Sequence, residues 1–241
     1  MAVCSDTHFS IKNRGLSELR EYFALQNLLG PSFFPYLSTE PSPKPEEAQT
    51  PRTSTVYDSL TSLGGAIRQC RSCPLHKART QAVPGHGPLK TRIMIVGEGP
   101  GFEEDQQGKP FVGPAGQLLT KMLGAIRLNR EEVYITNTVK CRPPKNRPPE
   151  EGEMKACRSF LEEEIRLTEP AILVAMGGSA AQALTGSLKK ISDLRGRWLD
   201  FQGRRLMATF HPAFLLRNPE AKRDSWEDLK KIRREYEILE K

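Results

Sequence analysis

Long apolar stretches are missing from this 241-residue chain. No run of about 18 apolar residues occurs, so no segment has the make-up of a membrane-crossing helix. The start, M-A-V-C-S-D-T-H, lacks the basic and apolar regions of a secretory leader. No Walker loop and no G-x-G-x-x-G fingerprint is present, which argues against the common nucleotide-cradling folds. Aromatic residues make up only 7%, and histidines number four. Cysteine is also sparse, at five, and a cytosolic chain keeps such thiols reduced. A Cys-x-x-Cys pair in that setting points to metal or redox chemistry rather than to a structural disulfide.

What is abundant is positive charge. Lys and Arg number 36 against 29 Asp and Glu, for a net charge of +7. Residues 1–55 hold 5 basic and 6 acidic side chains, so the excess belongs to residues 56–241. Such a balance suits a polyanionic partner, nucleic acid above all.

The N-terminal part divides in two. Leu16, Leu19, Phe23, Leu25 and Leu28 recur at helical spacing up to Gly30, which predicts a short helix over 16–30 able to dock a protein partner. Pro31 to Pro51 then holds six prolines in 21 residues and reads as an extended linker. Residues 1–55 are therefore expected to be an extension, and 56–241 the folded domain.

Within that domain, apolar runs alternate with helical patterns. Arg92–Gly97, Val133–Thr138, Ala171–Gly177 and Leu206–Phe210 have the length and composition of buried strands. Helical stripes cover Gly116–Arg127, Glu150–Leu167, Ser179–Leu184 and Asp224–Leu239. The expected architecture is a three-layer α/β/α domain around a short, mostly parallel four-stranded sheet. Sites in such sheets gather at the carboxyl ends of the strands. The loop from Gly97, residue Asn137 and residue His211 each end or follow a proposed strand, so all three belong on one rim.

Three features carry chemistry. Cys70-x2-Cys73 with Cys141 and Cys157 makes a set of four thiols, and Cys4 is left over. Four cysteines can hold zinc or an iron–sulfur cluster, or can simply pack as small apolar side chains. The turn Gly97–Gly101 (G-E-G-P-G) lets backbone N–H groups approach a flat or anionic ligand, or is merely a tight loop. Acidic residues crowd it at Glu98, Glu103, Glu104 and Asp105. His211 heads the run H-P-A-F-L-L-R-N-P and is either a catalytic or a structural histidine.

Together these stretches resemble the family 4 (iron–sulfur) uracil-DNA glycosylases. The resemblance rests on Gly97–Asp105 (G-E-G-P-G-F-E-E-D), Gly108–Leu119 (G-K-P-F-V-G-P-A-G-Q-L-L), Val133–Pro144 (V-Y-I-T-N-T-V-K-C-R-P-P) and His211–Pro219. It covers about residues 60–235 and leaves the first 55 outside. It implies an enzyme of base excision repair that hydrolyses the N-glycosidic bond of uracil in single- or double-stranded DNA. It also implies one four-iron–four-sulfur cluster on Cys70, Cys73, Cys141 and Cys157, with a structural role. The implied protein is a monomer of the bacterial or archaeal cytosol, associated with the nucleoid.

Residue by residue, the resemblance makes Phe111 the ring that stacks on uracil and Asn137 the amide that reads its Watson–Crick edge. His211 then donates to uracil O2 as the bond breaks, while Gly99 and Glu104 line the base site. The wider superfamily carries a carboxylate or amide where this chain has Gly99, so Glu98 is the first choice to place water or support a cationic sugar; Glu104 and Asp105 follow. Arg142, Arg147 and Arg217 are expected on DNA phosphates. A related group captures the sugar covalently with help from a basic inserted loop. Asp105–Pro110 (D-Q-Q-G-K-P) offers no such loop here. A non-catalytic iron–sulfur module serving a repair or polymerase complex is the alternative.

Overall fold

The computed structural model describes residues 56–239. The predicted 16–30 helix, the proline-rich linker and Cys4 lie outside the described residues. The sheet runs β2-β1-β3-β5-β4, with β1 Ile93–Gly97, β2 Tyr134–Asn137, β3 Ile172–Met176, β4 Trp198–Phe201 and β5 Arg204–Thr209. The β1–β2, β1–β3 and β3–β5 pairs are parallel, as expected.

Sequence reading missed the fifth strand. β4 pairs antiparallel with β5 through a two-residue turn. Both turn residues, Gln202 (φ 53°) and Gly203 (φ 80°), take left-handed backbone, the geometry that matches the twist of paired strands. Gln-Gly is a weaker turn signal than Asn-Gly, and β4 is only partly buried, so its apolar pattern is faint.

Among the described residues there are eight α-helices: α1 Leu60–Gln69, α2 Phe102–Gln107, α3 Pro114–Ala125, α4 Glu151–Thr168, α5 Gly178–Thr185, α6 Ile191–Leu194, α7 Pro212–Arg217 and α8 Lys222–Leu239. Strand residues alternate strictly between two apolar layers. Ile93, Ile95, Ile172, Val174 and Met207 join Leu119 and Leu123 of α3 and Leu229 and Ile232 of α8. Met94, Val96, Leu173, Ala175 and Leu206 face Leu161 and Ile165 of α4 and Ala180 of α5. That period of two, covered on both sides, makes the strands read as continuous apolar runs. A third cluster joins α1 to α4 through Leu63, Ile67 and Phe160, and all four cysteines belong to it.

Asp228 fastens α8 to β5 through Thr209 and to the segment after α6 through Arg195. Asp228 is fully buried; it accepts from Thr209 Oγ1 at 2.7 Å and from Arg195 Nη2 at 2.8 Å. Burial pushes its carboxyl pKa up, opposed by Thr209 and Arg195. Arg195→Ala should therefore destabilise the domain by about 3–5 kcal/mol, since it strands a buried carboxylate. The loss should shrink toward acid pH, where the carboxyl takes up a proton. Urea unfolding at neutral pH and near pH 4 would check both; a loss under 1 kcal/mol would show that the pair carries little weight.

Candidate active site and cysteine cluster

The parallel strands bring their carboxyl ends to one edge, and the β1–β2 register sets Gly97 directly beside Asn137. There is no room for a side chain at Gly97: a Cβ would stand 2.4 Å from Asn137 Oδ1 and 2.6 Å from Phe111 Cζ. Phe111, Asn137 and the end of β1 therefore meet in one place. Across the edge, the rings of Phe111 and His211 lie 5.6 Å apart.

Asn137 is 2% exposed, and its Oδ1 is the one buried side-chain N or O atom among the described residues that lacks a hydrogen-bond partner. Native interiors seldom leave such an atom unpaired, and a buried acceptor without a donor is a site waiting for one. The backbone beside it is tightly held. Thr138 donates to Gly97 O through both its N–H and its hydroxyl, and Val139 N–H donates to Glu98 O.

Phe111 has left-handed backbone (φ 53°), unusual for a bulky residue. Its neighbours hold it there. Glu104 Oε1 accepts from the N–H groups of Val112 and Gly113, both at 2.9 Å, and Arg130 donates to Pro110 O. Glu104 Oε2 accepts from Gly101 N–H at 3.0 Å. Both oxygens of Glu104 are thus spent on the two loops, and this residue braces them instead of facing the pocket. Asp105 is likewise committed, accepting from the amides of Thr80 and Gln81.

His211 caps α7, its Nδ1 accepting from Ala213 N–H at 3.1 Å. With Nδ1 serving as acceptor, the neutral ring carries its proton on Nε2. Burial, aided by the Arg217 guanidinium, pushes its pKa down to about 4. The imidazole is therefore neutral at physiological pH and still offers one N–H.

The remaining expected residues spread along the rim. Glu98 is half-buried, and its Oε2 accepts from the Ser179 hydroxyl of α5 at 2.6 Å. Gly99 abuts the Val139 and Pro143 side chains. Arg142 lies over the exposed Phe102 ring, 5.1 Å from its centroid. Arg217 is exposed. Arg147 forms a two-pronged bond to Glu153 at the start of α4, so its charge is matched within the protein.

The four cysteines gather between α1, the loop after β2 and α4. Cys141 and Cys157 are buried; Cys70 and Cys73 are half-buried. Among the described residues no three His, Cys, Asp or Glu side chains converge to hold a single metal ion. Four thiols grouped in one apolar cluster form a donor set that fits zinc or a polynuclear iron–sulfur group. Burial pushes the Cys157 thiol up to about 12 and raises Cys73 and Cys141 as well, so without a cation these groups stay protonated. Arg79 donates to Cys141 Sγ at 2.9 Å.

Sequence reading overlooked Arg79, Ser179 and a buried pair, Lys140 with Glu164. Glu164 did leave a signal: it falls on the helical stripe of Cys157, Phe160, Leu161, Ile165 and Thr168. A carboxylate on an apolar face needs a buried partner.

The family model that matches this chain is the uracil DNA glycosylase superfamily, over residues 84–230. The chain is 46% identical to a type-4 uracil-DNA glycosylase of Thermotoga maritima over 183 residues, 74% of this chain and 95% of that protein. A type-4 enzyme of Pyrobaculum aerophilum is 43% identical over 70% of this chain and 91% of its own. For one from Sulfurisphaera tokodaii the figures are 42%, 73% and 84%.

A histidine whose folded pKa lies below its unfolded value contributes stability that is complete above about pH 6.5. That contribution is lost as pH falls toward 4. Nitrogen-15 NMR of the His211 ring should report a neutral Nε2–H tautomer at pH 6 and a titration midpoint near 4. A midpoint at 6 or above would contradict the assignment.

Proposed function

We infer, for a chain that belongs to the uracil DNA glycosylase superfamily and to its type-4 enzymes, that it removes uracil from DNA by cleaving the N-glycosidic bond. The observation that carries the reading is the unpaired Asn137 Oδ1, buried beside the Phe111 ring at the end of the parallel sheet.

A base inside a duplex cannot reach that edge, so the nucleotide swings out of the stack at a cost of a few kcal/mol. Phe111 offers a flat apolar face to the extruded base. Asn137 Oδ1 accepts from uracil N3–H, and the same carboxamide donates to O4. Cytosine reverses both polarities, with an acceptor at N3 and a donor at C4, and would leave two buried groups mismatched. Discrimination of this kind is strong because unpaired polar groups are costly.

Bond cleavage moves an electron pair onto the base, and negative charge grows on O2. His211 supplies a neutral Nε2–H there, already oriented by its bond to Ala213. A preorganised donor of this type is worth about 10²- to 10³-fold in rate. The sugar turns cationic as the base leaves, and Glu98, fixed by Ser179, provides the nearby carboxylate that supports it and orients water. Arg142 and Arg217 serve the DNA backbone from the rim.

A four-iron–four-sulfur cluster is the group that Cys70, Cys73, Cys141 and Cys157 would hold. Four thiols grouped around one apolar cluster, the donor set such a group uses, support it. When bound it would tie α1, the loop after β2 and α4 together, and no step of bond cleavage passes through it. The monomeric state and the cytosolic, nucleoid-associated setting belong to the same proposal.

Release of free uracil from single- and double-stranded oligonucleotides tests the activity directly. His211→Ala should lower the single-turnover rate by about 10²- to 10³-fold with little change in DNA affinity; near wild-type cleavage would end the proposed role of His211. For the metal, elemental analysis of anaerobically purified protein should find iron and sulfide at about four each per chain, and Cys73→Ala should lose them. Stoichiometric zinc without iron would refute the cluster.

A further inference from the structure

Lys140 and Glu164 form an ion pair sealed from solvent, their side chains 1% and 0% exposed. Neither has a part in the reaction as described. The Lys140 ammonium makes three hydrogen bonds: to Glu164 Oε2 at 2.6 Å, to Thr136 Oγ1 at 2.6 Å and to the backbone oxygen of Asn137 at 2.7 Å. Its donor capacity is filled. Thr136 passes its own hydroxyl proton on to Glu164 Oε2, and Glu164 Oε1 accepts from Gly85 N–H.

A buried ion pair is a costly way to attach a helix to a strand. A well-packed apolar pair of similar volume does as well or better, because two ions need not be stripped of water. What the ionic pair adds is direction. One of the three bonds from Lys140 ends on the carbonyl of the residue that reads the base. On the other side of that peptide, Thr138 N–H is fixed to Gly97 O.

We propose that Lys140, held in place by Glu164, is a positioning residue for Asn137. Through the Asn137 carbonyl it sets the angle at which the carboxamide meets uracil. The proposal rests on the reading of Asn137 as the base-recognising amide. Misplacing such a group by about 1 Å costs about 100-fold in rate.

Lys140→Met alone strands a buried carboxylate and is expected to be unstable. The informative protein is the double variant Lys140→Met/Glu164→Gln. It removes both charges, keeps the volume and leaves an amide to meet Gly85 and Thr136. Its melting temperature and visible absorbance per chain are measured beside its single-turnover rate and its affinity for abasic product DNA. The proposal expects a melting temperature within a few degrees of wild type, abasic-DNA affinity within twofold, and a uracil excision rate 30- to 100-fold lower. A double variant that regains the wild-type rate along with its stability would overturn it. One that cannot fold assigns the pair to stability and overturns it equally. If the wild-type protein itself releases no uracil, the functional reading has failed instead.

Discussion

Everything at the carboxyl edge of the sheet depends on the missing side chain at Gly97. Parallel pairing sets this residue beside Asn137, and a Cβ there would stand within 2.4 Å of Asn137 Oδ1 and 2.6 Å of the Phe111 ring. A polar amide and an aromatic face can therefore share one small space with bare backbone between them. That combination is what a flat, polar-edged heterocycle requires: one face to stack on and one edge to read. Even the smallest substitution, Gly97→Ala, has no room here. Gly116 repeats the theme, since a Cβ there would overlap the Phe111 carbonyl, so the first turn of α3 can lie directly against the Phe111 backbone.

The left-handed backbone of Phe111 is the strained element of this arrangement, and a carboxylate offsets it. Glu104 gathers three backbone N–H groups from two loops, those of Gly101, Val112 and Gly113. Charge-assisted bonds of this kind are among the stronger ones a protein makes. They also settle how the acidic block is divided. Glu104 and Asp105 are buried and committed to backbone amides, Glu103 is exposed, and Glu98 remains half-buried at the edge with a serine hydroxyl for company. Four carboxylates that look alike in sequence thus take three different places, because burial and amide partners differ at each.

Much of this was legible beforehand. The four apolar runs became β1, β2, β3 and β5, because strands covered on both faces leave an unbroken apolar signature. The glycine turn and the H-P-A-F-L-L-R run were recognisable as short, ordered motifs. What escaped had weaker local signals. β4 is an edge strand of mixed exposure, and its pairing depends on a Gln-Gly turn. α1 follows the proline-rich stretch closely in sequence and carries paired glycines at Gly64 and Gly65, which mask its helical pattern. The bracing role of Glu104 depends on amides eight and nine residues away, and the Lys140–Glu164 pair on a contact 24 residues apart. Distances of that kind are set by the fold, and no window on the sequence contains them.

The two halves of the site are joined by a very short piece of chain. Asn137, Thr138, Val139, Lys140 and Cys141 are consecutive, so the unpaired amide at the sheet edge and a thiol of the cysteine cluster are four residues apart. The segment between them has little freedom. Thr138 and Val139 donate to the carbonyls of Gly97 and Glu98, Lys140 O accepts from Val83 N–H, and the Lys140 ammonium turns back to the Asn137 carbonyl. A chain pinned at every residue transmits displacement instead of absorbing it. Whatever fixes Cys141 against Cys157 of α4 therefore also fixes Asn137 at the carboxyl edge of the sheet. The carboxyl edge of the sheet thus inherits its rigidity from backbone and side-chain contacts that lie behind it.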